Sequence, residues 1–226
     1  MKDRVIVMTG TSGALGRAVA DMAIERGALV ATLERSATAT IATASRLGLG
    51  GIDLLHGDQA AKAMKAVAER FGRIDALVNI AGAFAFETVA EGAPETWQRL
   101  HDANLMTALN ASRAAIPHLR KSRAGRIVNL GAIGALHPGA GMGPYAASKA
   151  AVHRLTEALA AELKGSITVN AVLPSTIDTP ANRAAMPDAD VKSWVTPDEL
   201  AEVILFLAGT ASSGVTGALI PVPGRV

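Results

Sequence analysis

The sequence predicts an α/β fold in a single domain: a doubly wound parallel sheet with helices on both faces. Three observations carry this. Short apolar runs alternate with longer helical patterns along the whole chain, which implies parallel strands joined by right-handed crossovers. The runs are continuous and apolar rather than alternating, as in strands covered on both faces. The first run ends in a glycine-rich turn that opens a helix, a joint where such sheets bind ligands.

Seven strands and their helices follow in order. Arg4–Thr9 reads as a buried strand. Ala14–Arg26 reads as a helix with Leu15, Val19, Met22 and Ala23 on one face. Ala28–Leu33 is the second strand, Ala37–Ala44 a weak helix and Ile52–His56 a weaker third strand. Ala60–Phe71 is helical and Ile74–Ile80 is the fourth strand. Pro94–Arg120 covers a long helix, broken near Pro117 because proline lacks the donor a helix interior needs. Gly125–Leu130 is the fifth strand and Pro144–Leu163 a helix. Ile167–Leu173 is the sixth strand, Pro197–Ala208 the last helix and Ala218–Val222 the last strand. The irregular stretch Pro174–Pro197, with four prolines, follows a strand at its carboxyl end and reads as a substrate lid.

Composition excludes several classes. A chain of 226 residues that is 50% hydrophobic has enough core for one domain and is not disordered. With no cysteine there is no disulfide, thiol chemistry or zinc thiolate site. A net charge of +2 and 3% aromatic residues offer neither a field nor a stacking platform for nucleic acid. The uncharged stretch Ile127–Ser148 contains five glycines and two prolines, so it is no membrane span. No signal or transit pattern stands before the first strand, so a cytoplasmic protein is expected. His56, His101, His118, His137 and His153 form no ligand-spaced cluster, so no metal is expected. Tyr145 is the single tyrosine, so any chemistry that needs a phenol has one candidate.

The turn Thr9-Gly10-Thr11-Ser12-Gly13-Ala14-Leu15-Gly16 fits a dinucleotide cradle. Gly10 permits the tight turn, Gly16 permits close helix–strand packing, and free N–H groups at the helix start suit a pyrophosphate. Thr11, Ser12, Ala14 and Leu15 complete the cradle. Glu34, at the end of the second strand, would accept hydrogen bonds from ribose hydroxyls and repel a 2′-phosphate, which favours NAD. Arg35 beside it suits a phosphate and leaves NADP open.

Five blocks in this order resemble the short-chain dehydrogenase/reductase family over essentially the whole chain. They are Thr9–Gly16, Asn79-Ile80-Ala81-Gly82, Asn104, Tyr145-Ala146-Ala147-Ser148-Lys149 and Pro174–Thr179. The resemblance implies a seven-stranded Rossmann-type sheet, a nicotinamide cofactor, a small-molecule substrate and a homodimer or homotetramer. It implies that Asp58 contacts adenine and that Asn79, Ala81 and Gly82 border the cofactor. Pro174, Ile177 and Thr179 would meet its nicotinamide end. Tyr145 would be the acid/base, Lys149 would hold the ribose, and Asn104 would order a proton-relay water. Ala14 and Ser175 depart from the family, which usually has glycine at both places. Physically, Tyr145 and Lys149 at i and i+4 share a helix face, and an ammonium beside a phenol lowers its pKa.

The family usually has a serine thirteen residues before the tyrosine, where a hydroxyl holds the substrate oxygen. Ala132 stands there, in Asn129-Leu130-Gly131-Ala132-Ile133-Gly134. Losing one such donor costs about a hundredfold or more in carbonyl reduction. Dihydropteridine reductases lack the same serine. The chain resembles them at Gly13–Gly16, Gly139–Tyr145, Ala151-Val152-His153 and Ile177–Asp190 with Ser193-Trp194. The leading expectation is a nicotinamide-dependent reductase, NADH preferred, acting on a conjugated C=N compound such as a quinonoid dihydropterin. The alternatives are a carbonyl reductase that manages without the serine and a nucleotide-binding sensor. His137, Asn182, Arg183, Asp188 and Asp190 read as loop residues with a lesser claim to substrate, and Trp194 as lid packing.

Overall fold

The computed structural model describes residues 1–37 and 41–226. Seven parallel strands form one sheet: β1 (Val5–Thr9), β2 (Leu29–Leu33), β3 (Arg46–Leu49), β4 (Ala76–Asn79), β5 (Gly125–Leu130), β6 (Ile167–Pro174) and β7 (Leu219–Val222). Their spatial order is β3-β2-β1-β4-β5-β6-β7. The helices are α1 (Ala14–Glu25), α2 (Gly57–Phe71), α3 (Pro94–His101), α4 (Thr107–Leu119), α5 (Gly143–Glu162), α6 (Pro180–Ala185) and α7 (Pro197–Ala208).

The continuous apolar strands are explained by two cores. Val5 and Val7 of β1 face one core with Met64 and Val67 of α2 and Leu119 of α4. Ile6 and Met8 face the other with Val19 of α1 and Ile204 of α7. Successive side chains point to opposite faces, so a strand covered twice must be apolar at every position. Chain order reverses between β1 and β4, and this opens a crevice at their carboxyl ends.

Several sequence expectations need correction. The third strand is Arg46–Leu49, pairing with β2, and Ile52–His56 is a loop beyond its carboxyl end. Apolar content pointed to the later run, and Leu54 of that run does enter the core from the loop, beside Leu47 of the strand. The weak helix over Ala37–Ala44 falls partly on residues 38–40, outside the described residues. Residues 41–44 are not helical, and Ala42 bridges to Leu47. The long helix is not broken at Pro117, which lies inside α4 on an exposed turn. It is interrupted by a π-helical turn, Asp102–Met106, between α3 and α4. The lid stretch is not irregular throughout. Thr179 caps α6 by accepting the Asn182 N–H at 3.2 Å, and Trp194 is buried.

Opposite the crevice, Asp75 staples three segments. Its carboxylate is fully buried and accepts from the Val5 N–H (3.0 Å), Ser122 Oγ (2.5 Å) and Arg73 Nε and Nη2 (3.0 and 2.6 Å). Burial alone would raise its pKa, but these hydrogen bonds and the Arg73 charge hold it below the usual carboxylate value. An acid with a depressed folded pKa stabilises above its unfolded pKa and loses that stability as pH falls. Replacing Asp75 with Ala is expected to lower unfolding free energy by about 3 kcal/mol in a urea titration. The variant should also lose less stability than the parent below about pH 4.

Candidate functional site

The glycine turn is held by what its glycines leave out. Gly10 has φ +72°, and a Cβ there would stand 2.7 Å from the Ala81 backbone. A Cβ on Gly16 would stand 2.4 Å from the Gly10 carbonyl oxygen. The turn therefore lies close against the end of β4, and α1 begins directly behind it. Gly13 is the N-cap of α1, with no capping side chain and no acidic residue in the first turn. That helix start suits a diphosphate. Glu34, just beyond β2, accepts from Thr11 Oγ1 (2.6 Å) and the Ser12 N–H (3.0 Å), so it also braces the turn.

A cavity of about 620 Å³ opens at the crevice. Of the residues expected to bind cofactor, Gly10, Ser12, Glu34, Arg35, Ala81 and Gly82 line it. Thr11, Leu15 and Gly16 lie buried behind it, and Ala14 is the first residue of α1. Asn79 points into the sheet, where its Nδ2 donates to Ser112 Oγ (3.1 Å) and Asn129 Oδ1 (2.9 Å). Asp58 stands apart from the lining, in the exposed first turn of α2, paired with Lys62 at 3.3 Å. Asp53 and Leu54 line the cavity instead. Asp53 lies within the run expected to form the third strand, Ile52–His56. The true strand ends earlier and leaves Asp53 on the rim. Gln98, Arg99 and Asp102 also line the wall and had no motif to reveal them.

The second half of the site is built on α5. Tyr145 is half-buried, with its ring edge-on to Phe84 at 4.9 Å. Lys149, one turn on, is buried and donates to the Leu130 carbonyl at 2.8 Å. A Cβ on Gly82 would stand 3.5 Å from Lys149 Nζ and 2.4 Å from Asn104 Oδ1, so Gly82 is where the lysine, the asparagine and the cavity wall meet. Asn104 is buried and fully engaged. Its Oδ1 accepts the Ala83 N–H (2.9 Å), and its Nδ2 donates to the Ala83 carbonyl (3.0 Å) and Ser148 Oγ (2.9 Å). It sits in the π-helical turn, and such turns recur at functional sites because they break the regular carbonyl pairing.

The expected lowering of the Tyr145 pKa is not found. Burial pushes the phenol up to about 12 and, by the same desolvation, the Lys149 ammonium down to about 8. Pro174, Ile177 and Thr179 stand at the carboxyl end of β6, off the cavity lining. Ile177 bridges to Val195, and Thr179 caps α6. Arg183 is bidentate to Asp178 (2.5 and 2.7 Å), so neither is a free group waiting for substrate. Ala132 is buried just past β5, and its N–H donates to His153 Nε2 at 3.3 Å. Among the described residues no group of His, Asp and Glu is placed to hold a metal, and no helix is long and apolar enough to cross a membrane.

The family model described as short chain dehydrogenase matches residues 4–190. The chain is similar to the 3-oxoacyl-[acyl-carrier-protein] reductase FabG of Thermotoga maritima, 32% identical over 240 residues, covering 99% of this chain and 98% of that protein. Among solved structures it is similar to a short-chain dehydrogenase/reductase from Brucella melitensis described as glucose/ribitol dehydrogenase. That match has a TM-score of 0.90 and 30% identity and covers 99% of this chain and 96% of that one. It is also similar to a short chain dehydrogenase from Escherichia coli CFT073 complexed with NADPH. There the TM-score is 0.88 and identity 26%, over 98% of this chain and 97% of that one. With a seven-stranded sheet, a glycine cradle at its switch point and this similarity along its length, the chain belongs to the short-chain dehydrogenase family and is an NAD(P)-dependent oxidoreductase.

Proposed function

We propose that this enzyme reduces a small conjugated C=N compound, of which a quinonoid dihydropterin is the type, with Tyr145 as the proton donor. The observation that carries this reading is Ala132. A methyl group stands beside the catalytic helix where a carbonyl reductase of this family places a hydroxyl, and the Ala132 N–H is already taken by His153. A ketone needs a donor at its oxygen as charge develops there. A conjugated imine carries its own basic nitrogen and accepts the Tyr145 proton directly.

A nicotinamide cofactor supplies the hydride when bound. The chain's own residues do the rest. The N–H groups at the start of α1 hold the diphosphate, and Glu34 and Arg35 face the adenosine ribose. Asp53 lines the adenine end, and Asp58 stands farther out in the first turn of α2. Lys149 holds the nicotinamide ribose, and once the bound cofactor engages it, its charge favours the Tyr145 phenolate. Asn104 anchors the Ala83 backbone and Ser148 beside them, at the turn where a relay water would sit. Ile177 and Thr179 flank the nicotinamide end under the lid, with Pro174 at its base. We read the enzyme as cytoplasmic and as a homodimer or homotetramer.

A second reading has support of its own: the Thermotoga maritima relative is named a 3-oxoacyl reductase, so carbonyl reduction without the serine is the rival. NADH and NADPH oxidation measured with a quinonoid dihydropterin and with ketones separates the two. The proposal expects pterin turnover that Ala132→Ser does not improve. Ketone turnover that rises about tenfold or more on Ala132→Ser, with none on the pterin, overturns it. Tyr145→Phe should lower kcat about 10²–10⁴-fold while cofactor affinity is retained. Cofactor binding without turnover of any substrate would instead mark a sensor.

For the cofactor, the Glu34 carboxylate on the cavity wall supports NAD. Fluorescence titration should then show tighter binding of NADH than of NADPH, with Glu34→Gln narrowing the gap. Tighter NADPH binding in the parent protein would assign the adenosine end to Arg35 instead.

A further inference from the structure

Helix α5 carries one more polar group on the face that presents Tyr145 and Lys149. His153 lies one turn past Lys149 and is 1% exposed. Its Nε2 accepts the Ala132 N–H, while Lys149 Nζ donates to the Leu130 carbonyl. Two side chains one helical turn apart thus grip a strap of three residues, Leu130-Gly131-Ala132, as the chain leaves β5. The middle residue has no room for a side chain. A Cβ on Gly131 would stand 2.5 Å from His153 Nε2 and 2.9 Å from Leu173 Cδ1.

We infer that His153 is a positioning residue: its imidazole holds the Ala132 backbone against α5 and so sets the distance between the strap and the Tyr145 hydroxyl. This rests on the reading of Tyr145 as proton donor. The bond requires an unprotonated Nε2, because a protonated imidazole has two donors and no acceptor. Burial, and then the charges of Lys149 and Arg154, hold the His153 pKa down at about 4, so the acceptor is present throughout the neutral range. With Ala132 offering no hydroxyl, the strap meets the substrate through its backbone and a methyl group. Its placement then decides how closely a planar substrate approaches Tyr145. Displacing reacting groups by about 1 Å can cost on the order of a hundredfold in rate.

The test compares His153→Gln with His153→Met. The two side chains have similar length, and only glutamine keeps a strong acceptor near the Nε2 position. The Ala132 amide is followed by hydrogen exchange in NMR, with kcat, KM and cofactor Kd measured alongside. The expected result is a protected Ala132 amide in the parent protein and the Gln variant, and loss of protection in the Met variant. The Met variant should also lose about tenfold or more in kcat at unchanged cofactor Kd, and the Gln variant should recover most of that loss. Gly131→Ala, which pushes a methyl group at Nε2 without altering α5, should reproduce the drop and keeps the test open if the Met variant fails to fold. Equal kcat in the Gln and Met variants, or full activity in Gly131→Ala, overturns the inference. An unprotected Ala132 amide in the parent protein also overturns it. Absence of turnover in the parent protein with that amide protected counts against the functional reading instead, so the two failures are distinguishable.

Discussion

The site depends on how α5 lies against the carboxyl end of β5. Three α5 side chains bond to three of the four residues 129–132 on that exit: Thr156 to Asn129, Lys149 to Leu130 and His153 to Ala132. The Thr156 and His153 contacts are buried and the Lys149 contact is half-buried, and a buried polar group left unpaired costs about 1–3 kcal/mol. Sliding the helix by one turn would orphan all three, so the helix has one register. That register places Tyr145 one turn before Lys149, with its ring against Phe84.

The network continues through the sheet. Asn129 accepts from Asn79, and Asn79 also donates to Ser112 of α4. On the other side of the crevice, Asn104 ties the π-helical turn to Ala83 and Ser148. The β4 exit, the π-helical turn and α5 are therefore joined by hydrogen bonds among buried and half-buried groups. Such a network holds geometry well because each member is costly to release. It also explains the polar residues among otherwise apolar strands: Asn79 ends β4 and Asn129 is the last but one residue of β5, at the end that faces the site.

The sheet and most helices were legible in the sequence because continuous apolar runs and glycine punctuation report double coverage directly. Two features were not. The third strand is short and pairs with β2 alone, so Arg46–Leu49 needs few apolar residues and gave way to the more apolar Ile52–His56. Asp53, just beyond that strand, lines the cavity, while Asp58, to which the family resemblance pointed, stands apart in the first turn of α2. The π-helical turn left no periodic trace, since one added residue shifts the helical phase no more than a chance substitution pattern does. The role of His153 was hidden for another reason: its partner is a backbone N–H, which no spacing rule reveals. Where pattern suggested that Lys149 lowers the Tyr145 pKa, burial proved the larger effect, and the lysine charge is directed at Leu130.

In the proposed function Tyr145 moves a proton and Lys149 tunes it once a cofactor engages the lysine. The chain has one tyrosine, so tyrosinate absorbance during a pH titration reports Tyr145 alone. In the free protein the expected midpoint is near 12, set by burial. In protein saturated with oxidised cofactor the expected midpoint is lower by about a unit or more, as the Lys149 charge is brought to bear on the phenol. An identical midpoint with and without cofactor would contradict the claim.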